Sequence, residues 1–421
     1  MRVFKFGGAS VKDANGVRNL LKVLKYEDVS NTLVIVSAMG KMTNAFEKIV
    51  HAYLYDKENL NLSINYVEAY HLKIVKELFE KEDFVFYEIN TLINNLQEFL
   101  IKNTSKDYNF VYDQIVGYGE MLSTKIVSLF LERNAISNIW LDIRTIIKTD
   151  SNFRNAKVDW DETKSNSEKL DQDQLYITQG FISRDKNSNT TTLGREGSDY
   201  TAGILAYCLD AEIVTIWKDV DGVFNADPRT FKETILLEEI SYQEAIEMAF
   251  YGASVIHPKT IKPLENKRIP LYVRSFENLK NNGTKVSKGI DIHPKTPCFI
   301  IKNNQILVSI STNDFSFMVE DNISEVFKLL HDYKLKVNLI QNSAISFSMC
   351  LEDNYQNFNK FYSKLHVNFK IKYNTNVTLF TVRHFDGNSI ENIQKKGAVL
   401  LQQISRETVQ LAISEKNNYD N

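Results

Sequence analysis

Four short segments carry residue types suited to handling anions. Residues 5–10 read KFGGAS, in which Gly7 and Gly8 let backbone N–H groups approach a phosphate closely and Lys5 supplies a cation. The same Gly-Gly pair also makes an ordinary tight turn, and it is neither a GxxxxGK[ST] loop nor a GxGxxG fingerprint. Residues 192–202, TLGREGSDYTA, set Arg195 between two glycines where a helix begins. Free N–H groups, the helix dipole and a guanidinium fork would there meet one carboxylate or phosphate. Ser198 or Asp199 is equally readable as a plain N-cap. Residues 217–229, WKDVDGVFNADPR, follow an apolar run, and Asp-Gly and Asp-Pro are also common turn pairs. In GYGEMLST, residues 117–124, Glu120 falls in an apolar helical stretch, where a charge needs a partner or a ligand amine unless it faces solvent.

Bringing these segments together requires a parallel sheet. Residues 3–6 are a short β-type segment broken by Gly7-Gly8, residues 14–26 read as an amphipathic helix, and TLVIV at 32–36 is an apolar run of the kind buried on both faces of a sheet. That order is a βαβ unit. Residues 42–133 are almost entirely helical in pattern and contain no proline. Further β-type runs occur at 136–140, 175–178, 212–217 and 271–273, with helical patterns at 198–209 and 241–251. The first 280 residues thus predict a three-layer α/β domain whose strand ends carry the loops, the place where open α/β sheets bind ligands. Residues 278–297 are rich in Asn, Gly, Lys and Pro and read as a polar connector, with the linker placed at 281–300. Residues 301–421 alternate short strands (306–310, 315–319, 337–340, 345–351) with a helix near 323–335. A partial recurrence ends in strands near 377–383, 398–403 and 408–413, so one or two α+β modules are expected.

The bulk properties narrow the function classes. A chain of 421 residues calls for two or three domains, and a hydrophobic content of 43% with 24% charged residues is that of a soluble globular protein. A formal net charge of −3 offers no basic footprint for nucleic acid. No signal peptide and no apolar run of roughly 20 residues is present, so a cytoplasmic protein without membrane contact is expected. Cys208, Cys298 and Cys350 are far apart and predict buried reduced thiols. The histidines show no metal spacing, His257 before Pro258 reads as a turn residue, and no GxSxG or Cys/His signature suggests covalent hydrolysis.

Taken together, KFGGAS, VSAMGKMTN at 36–44, YGEMLST at 118–124, QGF at 179–181, LGREGSDYTA at 193–202, KDVDGVFNADPR at 218–229 and GASVIHPKT at 252–260 resemble the aspartate kinases of the amino-acid kinase superfamily. The resemblance implies transfer of a phosphoryl group from ATP, with Mg²⁺, to the side-chain carboxylate of L-aspartate. It gives Lys5, Gly8, Arg195 and Asp199 catalytic roles. It gives Ser37, Thr43, Glu120, Phe181, Arg195 and Ser198 the aspartate, and Lys5, Gly7, Gly8, Lys218, Asp219, Phe224 and Arg229 the nucleotide; no metal ligand is named, and Asp199 would suit either the substrate ammonium or the metal. Ala9, Glu196, Phe224 and Ser254 differ from the residues common at those places, which bears on ATP contacts more than on the reaction. An aspartate carboxylate, with a reference pKa of about 3.9, is already ionised at neutral pH, so the transfer needs no general base. The enzyme must hold two anions in line and neutralise charge on the phosphoryl oxygens.

Residues 322–348 follow the pattern of an ACT module. The resemblance implies homodimerisation through this region and a possible amino-acid effector, with Asn338 and Ala344 where lysine-sensitive members carry carboxylates, so weak or absent lysine inhibition is expected, and threonine or no effector at all stays open. The chain is expected to be monofunctional, serving lysine, threonine and methionine synthesis. Alternatives are a glutamate, acetylglutamate or nucleoside-monophosphate kinase, and a catalytically silent amino-acid sensor.

Overall fold

The computed structural model describes residues 1–81, 83–253, 256–289, 291–314 and 316–414, so Ser254 and Phe315 lie outside the described residues. The chain forms two compact units, one of Met1–Val223, Leu236–Ile246 and Val255–His293, the other of Phe224–Ile235, Glu247–Ser254 and Pro294–Asn421. Two segments interior to the first 280 residues thus group with the second unit.

Along the chain run β1 (Arg2–Phe6), α1 (Ala14–Glu27), β2 (Thr32–Val36), α2 (Met42–Tyr55), α3 (Leu60–Leu78), α4 (Phe84–Lys102), α5 (Tyr108–Val116) and α6 (Tyr118–Arg133). There follow β3 (Ile139–Leu141), β4 (Lys148–Thr149), α7 (Trp160–Ser167), β5 (Leu175–Gln179), β6 (Ile182–Asp185), β7 (Thr190–Thr192), α8 (Gly197–Cys208) and β8 (Ile213–Lys218). Next come β9 (Val223–Phe224), β10 (Leu236–Leu237), β11 (Glu239–Ser241), α9 (Tyr242–Tyr251), α10 (Pro258–Lys267), β12 (Leu271–Ser275), β13 (Thr284–Ser287) and β14 (Ile292–His293).

The first unit is built on a nine-stranded sheet of order β14-β11-β13-β12-β8-β1-β2-β5-β3, parallel from β12 to β3. Its central strands are apolar or β-branched at nearly every position and buried on both faces, as a sheet covered by helices on both sides requires. Register fixes the site: Phe6 is level with Val36 and Trp217, and Val36 with Gln179, so Gly7, Ser37, Gly180 and Lys218 leave the sheet side by side. Helices α1–α6 bury their apolar faces in one core with Phe4, Phe6, Val34 and Val36. On the helix pair α8 and α10, Gly203 permits close approach, since a Cβ there would sit 2.8 Å from the Thr260 carbonyl.

The strand expected at 136–140 starts later. Residues 134–136 close α6 instead, with Ala135 at φ 59° and the Ile136 N–H donating to the Leu131 carbonyl at 2.9 Å, a Schellman-type end. The polar run 278–297 contains two strands of the main sheet. Thr284 and Val286 face inward, fully buried, while Lys285 and Ser287 alternate outward.

In the second unit, β15 (Cys298–Thr312), α11 (Glu320–Asp332), β16 (Lys336–Asn342), β17 (Ser346–Glu352), α12 (Phe358–Leu365), β18 (Phe369–Arg383), α13 (Gly387–Gln394), β19 (Ala398–Ile404) and β20 (Thr408–Ser414) form two α+β repeats. Their strands make one antiparallel six-stranded sheet, β16-β17-β15-β18-β20-β19. Residues 316–319, expected within a strand, are irregular: Ser316 is held in a turn, its N–H donating to Asp314 and its carbonyl accepting from Thr312 Oγ1. The three cysteines are buried thiols.

Candidate active site

Lys5 of β1, the loops leaving β2 and β5 and the first turn of α8 surround a cavity of about 460 Å³ in the first unit. Lys5, Ser37, Thr43, Glu120, Phe181, Arg195, Ser198 and Asp199, all singled out in the sequence, line it. Lys5 Nζ and Asp199 Oδ1 form an ion pair at 2.6 Å, both side chains largely buried. The glycine turn lies against the loop after β2: the Gly40 N–H donates to the Gly8 carbonyl at 2.9 Å, and a Cβ on Gly8 would come within 2.6 Å of the Ala38 carbonyl. Only glycine fits that approach.

Glu120 is 2% exposed. Its Oε1 accepts the Ala38 N–H at 3.3 Å, while Oε2 is buried without a hydrogen-bond partner. Burial, only partly offset by that hydrogen bond, pushes its carboxyl up to about 8. The helix around it is fixed by Ser123 Oγ, which donates to the Ser37 carbonyl at 2.8 Å. An orphaned carboxylate oxygen in a cavity is suited to a ligand ammonium.

Phe181 has φ 70°, and the Ile182 N–H donates back to the Gly180 carbonyl at 2.7 Å, a γ-turn of the strained hand. Thr201 Oγ1 accepts the Phe181 N–H at 3.0 Å, and the ring occupies the space a Gly197 side chain would need, 2.6 Å from its Cβ position. Helix α8 starts at Gly197 with Glu196 before it in the left-handed region, so Ser198 and Asp199 lie inside the first turn and neither is the N-cap.

The cavity has further walls that sequence reasoning missed. Tyr112, Arg154 and Thr192 also line it. Behind them Asp113, fully buried, accepts the N–H groups of Arg154 and Thr192 at 2.9 Å each and the Thr192 hydroxyl at 2.8 Å. Burial outweighs those donors and raises its carboxyl to about 6. A charged residue in the apolar stretch of α5, seven positions before Glu120, was the available signal.

The pattern of the amino acid kinase family matches residues 1–275. Lysine-sensitive aspartokinase 3 of Escherichia coli (strain K12) is 30% identical over 359 residues, covering 83% of this chain and 78% of that protein. The chain belongs to the amino acid kinase family, among its aspartokinases. The crystal structure of E. coli aspartokinase III in complex with lysine and aspartate superposes with a TM-score of 0.83 at 25% identity, over 98% of this chain and 96% of that one. Bifunctional aspartokinase/homoserine dehydrogenase 2 of Arabidopsis thaliana is 29% identical over 365 residues, 83% of this chain but 39% of the plant protein. The chain thus spans about two fifths of the length of that relative.

Of the positions that the aspartokinase resemblance assigns to the nucleotide, Lys5 lines the cavity, and Gly7 and Gly8 follow it at the end of β1. Lys218 ends β8; burial holds its ammonium below the usual lysine range, against the pull of Asp199 and with a further push from Lys5. Asp219 is exposed just beyond it. Phe224 and Arg229 group with the second unit, where the Arg229 fork closes on Asp227, Nη2 to Oδ2 at 2.8 Å and Nε to Oδ1 at 3.0 Å.

Proposed function

We propose that this protein phosphorylates the side-chain carboxylate of L-aspartate with ATP, forming 4-phospho-L-aspartate, as the entry step toward lysine, threonine and methionine. The observation that carries it is one cavity lined by the Lys5–Asp199 pair, Arg195 and Glu120, one of whose carboxyl oxygens is buried without a hydrogen-bond partner. The names of the relatives support the same substrate. In this reading Glu120 takes the substrate ammonium and Arg195 its α-carboxylate, leaving the β-carboxylate toward Lys5, with Ser37, Thr43, Phe181 and Ser198 around it. The acceptor is an anion throughout and no base acts. Lys5, with the N–H groups of Gly7 and Gly8, neutralises the phosphoryl oxygens, and Asp199 orients Lys5.

Lys218, Asp219, Phe224 and Arg229 are assigned to the nucleotide. Among the described residues no group of three or more His, Cys, Asp or Glu could hold a metal. Mg²⁺, carried chiefly by the phosphates and water, would screen their charge. Phosphoryl transfer is assigned to residues 1–280, and the ACT-like repeats of residues 301–421 to homodimerisation and effector response. Among the described residues no helix is long and apolar enough to cross a membrane.

ADP release is measured with L-aspartate, L-glutamate and UMP in turn, trapping acyl phosphate as hydroxamate. Aspartate-dependent hydroxamate that Lys5→Ala lowers by roughly 10²-fold or more supports the proposal, a loss of the order seen when one preorganised charge-stabilising group is removed. Turnover with glutamate or UMP alone, or none with any acceptor, overturns it.

A further inference from the structure

Arg154 lies in a loop that no pattern in the sequence singled out, yet it lines the same cavity as Arg195 and Glu120. Its backbone is at φ 68°, a region unfavourable for a residue bearing a Cβ. Three contacts hold the loop there. The buried carboxylate of Asp113 accepts the Arg154 N–H at 2.9 Å, Asn155 Oδ1 accepts from Lys259 Nζ at 2.8 Å, and Phe153 packs edge-on against Phe110 with centroids 5.3 Å apart. The guanidinium is laid over the Tyr112 ring, 4.4 Å from its centroid, and Tyr112 is itself fixed by its hydroxyl donating to Glu47 Oε1 at 3.0 Å. A cation stacked in this way is preorganised, so it loses little freedom when it grips an anion.

The Arg154 loop touches the loop that bears Arg195. A Cβ on Gly194 would stand 3.1 Å from the Arg154 carbonyl, and Asp113 ties the Arg154 N–H to Thr192, two residues before Gly194. Two guanidinium groups therefore rise from adjoining loops into one cavity. Lys5, the other cation lining it, is already paired with Asp199.

We infer that Arg154 is a second cationic clamp on the acceptor, which positions the carboxylate that is not phosphorylated and so selects for a dicarboxylic amino acid. The inference rests on the proposed aspartate kinase reading and names a specificity-determining residue within it. Arg195 and Arg154 together hold the α-carboxylate, leaving the β-carboxylate for Lys5.

The test compares the wild type with Arg154→Gly, which also relaxes the left-handed backbone, and with Arg154→Lys, which keeps charge but not the fork. Acceptors are L-aspartate and its α-carboxamide, in which the clamped charge is absent. The expected result is a rise in L-aspartate KM of roughly tenfold or more in Arg154→Gly, the order of one charge-assisted hydrogen bond, with kcat within about twofold. Arg154→Lys restores part of it, and for the α-carboxamide the ratio of wild type to variant collapses toward unity. An unchanged KM, or an equal rise for both acceptors, overturns the inference in favour of a purely structural loop. Calorimetric titration of L-aspartate in the presence of ADP and Mg²⁺ separates the two claims. Wild-type binding that Arg154→Gly leaves intact overturns the clamp and spares the kinase reading; a wild type that neither binds L-aspartate nor releases ADP overturns both.

Discussion

Replacing Glu120 by glutamine keeps the side chain's shape and removes its titration, and the consequences run in opposite directions with and without substrate. In the unfolded chain the carboxyl ionises near 4.5, whereas burial in the folded chain pushes it up to about 8. Between those values the unfolded chain has released a proton that the folded chain retains, so raising the pH favours unfolding. The penalty sets in above the unfolded value, grows by about 1.4 kcal/mol per pH unit and is complete once the folded group ionises, reaching roughly 5 kcal/mol at most. Glu120→Gln should therefore match the wild type in urea unfolding at about pH 5 and exceed it at about pH 9. Substrate reverses the balance. If the L-aspartate ammonium pairs with the Glu120 carboxylate, binding near neutral pH must expel the proton, so close to one proton is released per aspartate and the wild-type KM falls as pH rises toward 8. Calorimetry in buffers of different ionisation enthalpy counts that proton, and steady-state kinetics reads the KM profile. A flat KM with no proton release, or a Glu120→Gln variant whose affinity follows pH as the wild type's does, refutes the assignment of Glu120 to the ammonium.

Phe181→Gly relieves a backbone strained by roughly 1 kcal/mol at φ 70° while stripping the ring from the cavity wall, so the urea midpoint should hold while L-aspartate KM rises. A fall in midpoint with KM unchanged would show the ring to be structural packing alone. In the second unit, Lys302 Nζ donates to Asn338 Oδ1 at 2.8 Å, and Asn338 Nδ2 donates to Gln305 Oε1 at 2.7 Å. With Asn338 already satisfied by an internal ammonium, added L-lysine should inhibit only weakly. Strong inhibition at millimolar lysine that Asn338→Ala abolishes would contradict this.

What the sequence revealed and what it hid follow from the same physics. β2 is legible because it is apolar or β-branched throughout, as burial on both faces requires, and β1, β5 and β8 because only Arg2, Lys5, Gln179 and Lys218 interrupt the same pattern. Their loops were legible because glycines at a close approach, and charges in apolar surroundings, are costly unless they have work to do. β13 escaped because only Thr284 and Val286 point inward, and two buried positions in a polar run make no periodicity. β15 and β18 run to 15 residues each, well beyond the apolar stretches that announced them. A register shift between Lys302 and Gln305, with Asn304 at φ 56°, lets polar residues continue the ladder.

Arg154 shows the limit most clearly, because nothing local to it is unusual in composition. Its place in the cavity is set by Asp113, 41 positions earlier in the chain, and by Lys259, which holds Asn155 from 104 positions later. A positive φ at an arginine is imposed from outside the loop, so no reading of residues 150–156 alone would locate it. The same fact gives the clamp its consequence. Asp113→Asn leaves Arg154 and the cavity lining chemically unchanged but weakens the acceptor that holds the Arg154 loop against β7, so it should raise L-aspartate KM in parallel with Arg154→Gly. The two changes should then be less than additive when combined, since both act through the position of one guanidinium. Full additivity would mean that Asp113 supports the cavity by some route other than Arg154.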